Sequence, residues 1–424
     1  MHVLQAVLGM GTFIFLCWLF SYERSRIPWR VVTVGILLQF VFALLILKTA
    51  AARAFFGMVN GVFIKLYDFS GDGARFLAGD LVDSVPFLFH VLPVVIVYAA
   101  IMAVLYHLGI MHRIVYWIGL GMKKTLKSVS GAEALSAAAN IFMGQTEAPL
   151  VVRPYIERMT RSELMVVMTG GMATVAGSVM AAYVGMLVDH FPNIAGHLMA
   201  ASIMSAPAAL VFAKILVPET GEPVTAGTVR LEHESKCDGP LHALADGARE
   251  GIALVANIAA MLIVFIALIS AANFLWGALC HGFTALSGIS TARIDTLQEL
   301  LGYLFAPFAW LMGVPWQDLH TAGTLLGEKT VINEFVAYGD FAGYLKGTPL
   351  LEGGSVHQLS ERTVIILTYA LCGFSNFSSI GILIGGLGIF APERKGEIAR
   401  LGVRAMLAAT LACFLTASIA ATLI

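Results

Sequence analysis

Long apolar runs recur from one end of the chain to the other, and they decide most of what it can fold into. A hydrocarbon core about 30 Å thick takes about 20 residues of helix to cross. Lipid offers no partner to backbone N–H and C=O groups, so such runs must be helical or close into a barrel. On this ruler, spans fall near 3–21, 31–49, 85–110, 161–187, 195–217, 250–279, 361–387 and 401–423. The first run, Val3–Phe20, has no basic stretch before it and no small-residue cleavage site after it. It is taken as a span, not as a removed signal. Of the 424 residues, 58% are hydrophobic and 12% charged, about half the charge of a typical soluble chain. The expected class is an all-α polytopic membrane protein with eight transmembrane helices.

Some stretches resist this treatment. Residues 52–68 and 112–129 mix aromatics with Lys and Arg, as interfacial amphipathic helices do. Two apolar segments, near 131–157 and 307–346, are interrupted by polar residues and read as re-entrant hairpins. The first contains Asn140–Leu150, NIFMGQTEAPL, where Gly144 and Pro149 break the helix around a glutamate. A carboxylate at membrane depth costs about 3 kcal/mol unless it faces a cavity or a partner. Pro149 suits the first turn of a helix, which puts Glu147 at a positive helix end.

Basic residues orient the chain. Arg24, Arg26 and Arg30 follow the first span; Arg113, Lys123, Lys124 and Lys127 follow the third; Arg153, Arg158 and Arg161 flank the first broken segment. Lys214, Arg230, Lys236 and Arg249 lie in or beside the hydrophilic connection 218–249, and Arg394, Lys395, Arg400 and Arg404 precede the last span. All share one face if both broken segments return to the side they entered. That face is expected to be cytoplasmic, with both termini outside. A formal net charge of −1 offers nothing to nucleic acid, and the five cysteines, without CxxC pairing, read as apolar filler or loop thiols.

Beyond position 130 the chain repeats one grammar. An apolar piece breaks around a glutamate, Glu147 and then Glu334. A capped helix start follows, Thr160–Glu163 as a capping box and then Ser360–Thr363. A span then breaks at mid-depth, at Thr174–Ser178 and at Gly373–Ser379. Paired interruptions in two halves are the mark of an inverted-repeat transporter with its site near the midplane. Two carboxylates among amides and hydroxyls suit a neutral, hydroxyl-rich solute better than an anion. The glycines of GILIGGLG, Gly381–Gly388, have no strand before them and read as close helix packing, not a dinucleotide loop.

At these residues the sequence resembles the concentrative nucleoside transporter family over about 84–423. The likeness is carried by Ala139–Phe142 running into GQTEAPL, VRPYIERMTRSE (152–163), MATVAGSV (172–179), VINEFVAY (331–338) and GFSNFSSIGI (373–382). The resemblance implies a homotrimer in a bacterial inner membrane, importing nucleosides such as uridine with a coupling cation by an elevator-type motion. It implies scaffold helices over 1–110, a first transport repeat over 111–217, a polar cytoplasmic loop over 218–249, a long scaffold helix over 250–280 and a second transport repeat over 281–424. Gln145, Thr146 and Glu147 would meet the nucleobase, with Val179 packed against it. Glu334, Asn376 and Ser379 would meet the ribose hydroxyls, with Phe374 at the wall. Sodium would take the side chains of Asn140 and Thr174 and the backbone near Met143 and Val175. Proton coupling is the alternative. No cofactor is implied, and neither an HExxH nor a GxSxG pattern supports an intramembrane enzyme. A passive channel is the remaining rival.

Overall fold

The computed structural model describes residues 2–85, 87–226, 237–288, 291, 294–347 and 359–424, and every regular element among them is helical. Helices α1 (His2–Leu19) and α2 (Trp29–Lys48) lead into α3 (Ala50–Ala78), the short α4 (Leu81–Ser84) and α5 (Leu92–His107), which a π-helical turn at Phe87–Val91 introduces. Next come α6 (Ile110–Leu126), α7 (Gly131–Ala139), a 3-10 helix (Ala148–Arg158), α8 (Arg161–Ala173), α9 (Gly177–Leu187) and α10 (Ile194–Leu216). After α11 (Pro240–Ser287) and α12 (Leu297–Leu311) lie α13 (Leu319–Val331), α14 (Glu334–Lys346), α15 (Glu361–Leu371), α16 (Phe377–Phe390) and α17 (Lys395–Ala421).

Seven of the described helical stretches are long and apolar enough to cross a membrane, counting α8 with α9 as one. The remaining expected span, 361–387, is two half-helices, α15 and α16, parted at residues 372–376, where the polar run Gly373–Ser379 predicts a mid-depth break. The segment after Asn140–Glu147 is a 3-10 helix and not an α-helix, because Pro154 lies inside it and removes a ladder donor. The second broken segment is shorter than expected. Residues 297–311 form the separate helix α12, and the hairpin runs from α13 to α14 with its break at Ile332 and Asn333.

Other boundaries move outward. The interfacial stretch 52–68 lies inside the 29-residue α3, and 112–129 corresponds to α6. The long helix starts at Pro240 and runs 48 residues, so the polar connection 218–249 ends ten residues early. Of that connection, residues 227–236, with Arg230 and Lys236, lie outside the described residues. The first turns of α11, HALADGARE, carry mixed polar residues on an exposed face and so resemble a loop in sequence. Close packing in GILIGGLG holds for its later glycines only: a Cβ on Gly386 would lie 3.4 Å from Thr146 Cγ2 and one on Gly388 2.7 Å from Lys395 Cε, whereas a Cβ on Gly381 or Gly385 would meet nothing within 4 Å.

The core is built around α10, which packs on α2, α8, α15 and α17 and is buried along most of its length. Helix α1 packs on α17, and α11 packs on α5. The last crossing needs a residue without a side chain, since a Cβ on Gly251 would lie 2.7 Å from Ile96 Cα.

Two polar knots tie the starts of the broken helices together. In the first, Ser130–Glu133 and Thr160–Glu163 are both capping boxes, and Ser130 Oγ donates to Glu163 at 2.6 Å. Lys214, wholly buried near the end of α10, pairs with Glu133 at 2.5 Å and donates to Ser162 Oγ at 3.0 Å. In the second, Asp318 Oδ2 accepts from Ser360 Oγ and Thr363 Oγ1, each at 2.6 Å, and from the Ser360 N–H at 3.2 Å. Arg362 then reaches the end of α17, donating to Ala421 O at 2.7 Å and Ile424 O at 2.9 Å.

Candidate functional site

The helix breaks meet in the interior, and each is held open by a side chain that replaces lost backbone partners. Asn333 caps α14, accepting from Val336 N at 2.9 Å, and Asn376 caps α16, accepting from Ser379 N at 2.9 Å. Asparagine at this position satisfies one orphan donor of a helix start and favours the break. Glu334 is the first residue of α14, where the helix dipole favours its charge. Its two oxygens accept from Asn376 Nδ2 at 2.6 Å and Tyr183 Oη at 3.2 Å. Asn376 therefore serves the helix with its oxygen and the carboxylate with its nitrogen.

The first arm approaches from the opposite side. Gln145 Nε2 donates to Ser379 Oγ at 3.1 Å, so the two repeats touch across the site. Gln145 Oε1 is buried and receives no donor among the described residues. Glu147 folds back on its own turn, accepting from the Gly144 N–H at 3.3 Å, and with Thr146 it is exposed to the opening. Gly171 lets this arm lie close to α8, since a Cβ there would be 2.9 Å from Gln145 Cβ.

Between the arms is a cavity of about 230 Å³, a little below the 300–1,000 Å³ or so of drug-sized ligand sites. Its lining includes all eight residues expected at a solute site: Gln145, Thr146, Glu147, Val179, Glu334, Phe374, Asn376 and Ser379. One wall was not anticipated. Leu254, Asn257, Ile258, Met261 and Leu262 of α11 close the cavity with a face that is apolar apart from Asn257. Nothing local in the sequence marks that contact, because it joins elements far apart in the chain. Tyr183 was also missed; its only signal is a phenol inside a buried span, which must find a partner. Asn333, which lines the cavity as well, is signalled by its place beside Glu334 at a break.

The four residues expected around sodium lie at the two breaks of the first repeat. Asn140 Nδ2 donates to Ser136 O at 2.9 Å, while its Oδ1 is buried with no donor among the described residues. Thr174 Oγ1 donates to Gly170 O at 3.0 Å, and a Cβ on Gly170 would lie 2.9 Å from Asn140 Nδ2. The two side chains thus converge beside Gly170. Met143 and Val175 sit outside regular helix, so their carbonyls are not committed to a helical ladder. The Gly177 N–H donates to Phe142 O at 3.1 Å and joins the two breaks directly. Neutral oxygen donors without a counter-charge suit a small hard cation.

Membrane-length helices interrupted in pairs, around a cavity with carboxylates at both ends, define a solute transporter of the helical, two-repeat kind. The comparisons identify which kind. Residues 8–81 and 197–421 match the models for the N-terminus and C-terminus of Na+ dependent nucleoside transporters, and residues 88–189 match a nucleoside-recognition gate. The chain belongs to this concentrative nucleoside transporter family. It is 42% identical to an uncharacterized transporter of Bacillus subtilis, YutK, over 99% of both chains. It is 41% identical to mouse solute carrier family 28 member 3 over 98% of this chain and 58% of that longer protein. Among solved structures, the CNTnw transporter in an inward-facing substrate-bound state superimposes with a TM-score of 0.87 at 41% identity, covering 100% of this chain and 98% of that one. An outward-facing form of the same transporter gives 0.88 at 40% identity, with the same coverage.

Proposed function

We propose that this protein imports nucleosides, uridine among them, in symport with sodium. The observation that carries the reading is the Asn376–Glu334 pair at 2.6 Å facing Gln145 and Thr146 across one cavity. A carboxylate with spare lone pairs accepts from two adjacent sugar hydroxyls, and an amide beside it can donate or accept. Gln145 and Thr146 offer both donors and acceptors, so purine and pyrimidine edges each find partners there. Val179 and Phe374 supply the apolar faces against which a flat base packs.

Sodium, when bound, would supply positive charge between the two breaks of the first repeat, with Asn140, Thr174 and the carbonyls of Met143 and Val175 as its ligands. The chain's own contribution is to hold those breaks together through the Phe142–Gly177 bond and to aim Gln145 at Ser379. Support comes from the unpartnered Asn140 oxygen and from the Na+ dependence in the family description. The eight-span topology with re-entrant hairpins, the homotrimer, the elevator motion against a scaffold of 1–110 and 250–280, and a bacterial inner-membrane location belong to the same reading. So does the orientation with both termini outside, which follows from the basic residues.

Uptake of labelled uridine into proteoliposomes, with competing nucleosides and bases, tests this. Accumulation above equilibrium that needs sodium at fixed pH is the expected result. Accumulation driven equally by a proton gradient in choline buffer would replace sodium with a proton. Equilibration without accumulation would identify a passive channel.

A further inference from the structure

At the foot of α11, away from the cavity, two side chains of different chemistry converge on one carboxylate oxygen. His242 and Asp246 stand one turn apart on the helix, and Cys237 lies just before its first residue. Asp246 Oδ2 is 3.8 Å from Cys237 Sγ and 3.5 Å from His242 Nε2. Asp246 Oδ1 is turned away, 3.3 Å from Arg249. One ligand atom from each of the three residues lies within 4.8 Å of the others. A tetrahedral zinc ion with ligand bonds of about 2.0–2.3 Å separates its ligand atoms by roughly 3.3–3.6 Å, so pairs that lie within 4.8 Å of one another need contract by no more than about 1.5 Å. The side chains have room to do so, His242 being 47% and Asp246 39% exposed.

We propose that Cys237, His242 and Asp246 form a binding site for a borderline divalent cation of the zinc type, with water in the fourth position. Sulfur and imidazole nitrogen select zinc over magnesium or calcium, which prefer oxygen alone. On binding, the Cys237 thiol proton leaves to solvent and the thiolate becomes the ligand. His242 coordinates through Nε2 and carries its proton on Nδ1. In the metal-free form Nδ1 accepts from the Asp238 N–H at 3.3 Å, so the ring must change tautomer. The Asp238 carboxylate, 3.8 Å from Nδ1, is placed to take that proton as a hydrogen bond. The bound ion would lock the approach to α11 onto its first two turns.

Cysteine accessibility gives a direct test in the full-length protein. Cys17, Cys280, Cys372 and Cys413 are buried and Cys237 is not, so a maleimide should label Cys237 alone and Cys237→Ser should not label. Micromolar zinc should slow labelling about tenfold or more, because a coordinated sulfur is a poor nucleophile, while calcium should leave the rate unchanged. In His242→Ala, which is exposed, and Asp246→Ala, which is half-buried, labelling without zinc should persist and protection should be lost. Zinc retained after removal of any affinity tag should approach one ion per chain and fall away in the same variants. An unchanged labelling rate in zinc, or equal protection in His242→Ala, would overturn the site.

Discussion

The two repeats pose one mechanical problem and solve it with different chemistry. Each must fasten the start of a broken hairpin to the start of a broken helix. The first repeat does so with charge: Glu133 and Glu219 pair with the buried Lys214, and Glu163 joins them through Ser130. The second uses one carboxylate, Asp318, bonded to neutral hydroxyls, and sends Arg362 out to backbone carbonyls. Their breaks differ in the same sense. The first hairpin opens over eight residues, 140–147, before a 3-10 helix, whereas the second opens at Ile332 and Asn333 alone and restarts as α-helix. The loose break supplies several side chains and free carbonyls; the tight one supplies a single carboxylate at a helix start. A site with a broad, adaptable end and a sharply fixed end follows from that contrast.

The largest way to break the comparison is to remove the buried cation. Lys214→Met leaves Glu133 without its partner, and losing one member of a buried pair costs about 3–5 kcal/mol. Thermal melting of the purified protein should fall well below that of Arg362→Met, whose arginine is only partly buried. Equal shifts would show that the two knots bear similar loads. Next in size, Glu334→Gln should lower uridine uptake about 10- to 100-fold, the worth of roughly 1.5–3 kcal/mol for a hydrogen bond to a charged group. The protein should remain folded by gel filtration, and unimpaired uptake would remove Glu334 from the sugar end. Asn140→Ala should raise the sodium concentration for half-maximal uptake about tenfold, the loss of one ligand oxygen at about 1.4 kcal/mol. The smallest effect is expected at the adaptable end. Gln145→Ala should change the ranking of competing nucleosides by only several-fold, since a neutral hydrogen bond is worth about 1 kcal/mol. A loss as deep as that of Glu334→Gln would make the two ends equals.

Much of this was legible in the sequence because membrane helices tolerate few interruptions. Gly144, Asn333 and Asn376 stand out against apolar neighbours and mark breaks in the structure, and Pro149 stands in the first turn of the 3-10 helix that follows the first break. The family resemblance then singled out eight of the residues that line the cavity. What stayed hidden depends on distance in the chain or on shared patterns. The α11 wall and the Tyr183–Glu334 bond join remote elements. The start of α11 has the composition of a linker, and a lone Cys237 shows no ligand spacing until the helix brings His242 and Asp246 beside it.

Asn376 has a consequence for anyone who would redesign selectivity. Its oxygen starts a helix and its nitrogen steadies the glutamate, so no substitution there changes recognition without also loosening α16. Gln145 carries no such second duty: among the described residues its oxygen receives no donor, and its nitrogen makes one bond, to Ser379. Engineering new cargo is therefore a one-ended task. Variation belongs on the glutamine arm, while the asparagine end sets which scaffolds of hydroxyls can be carried at all.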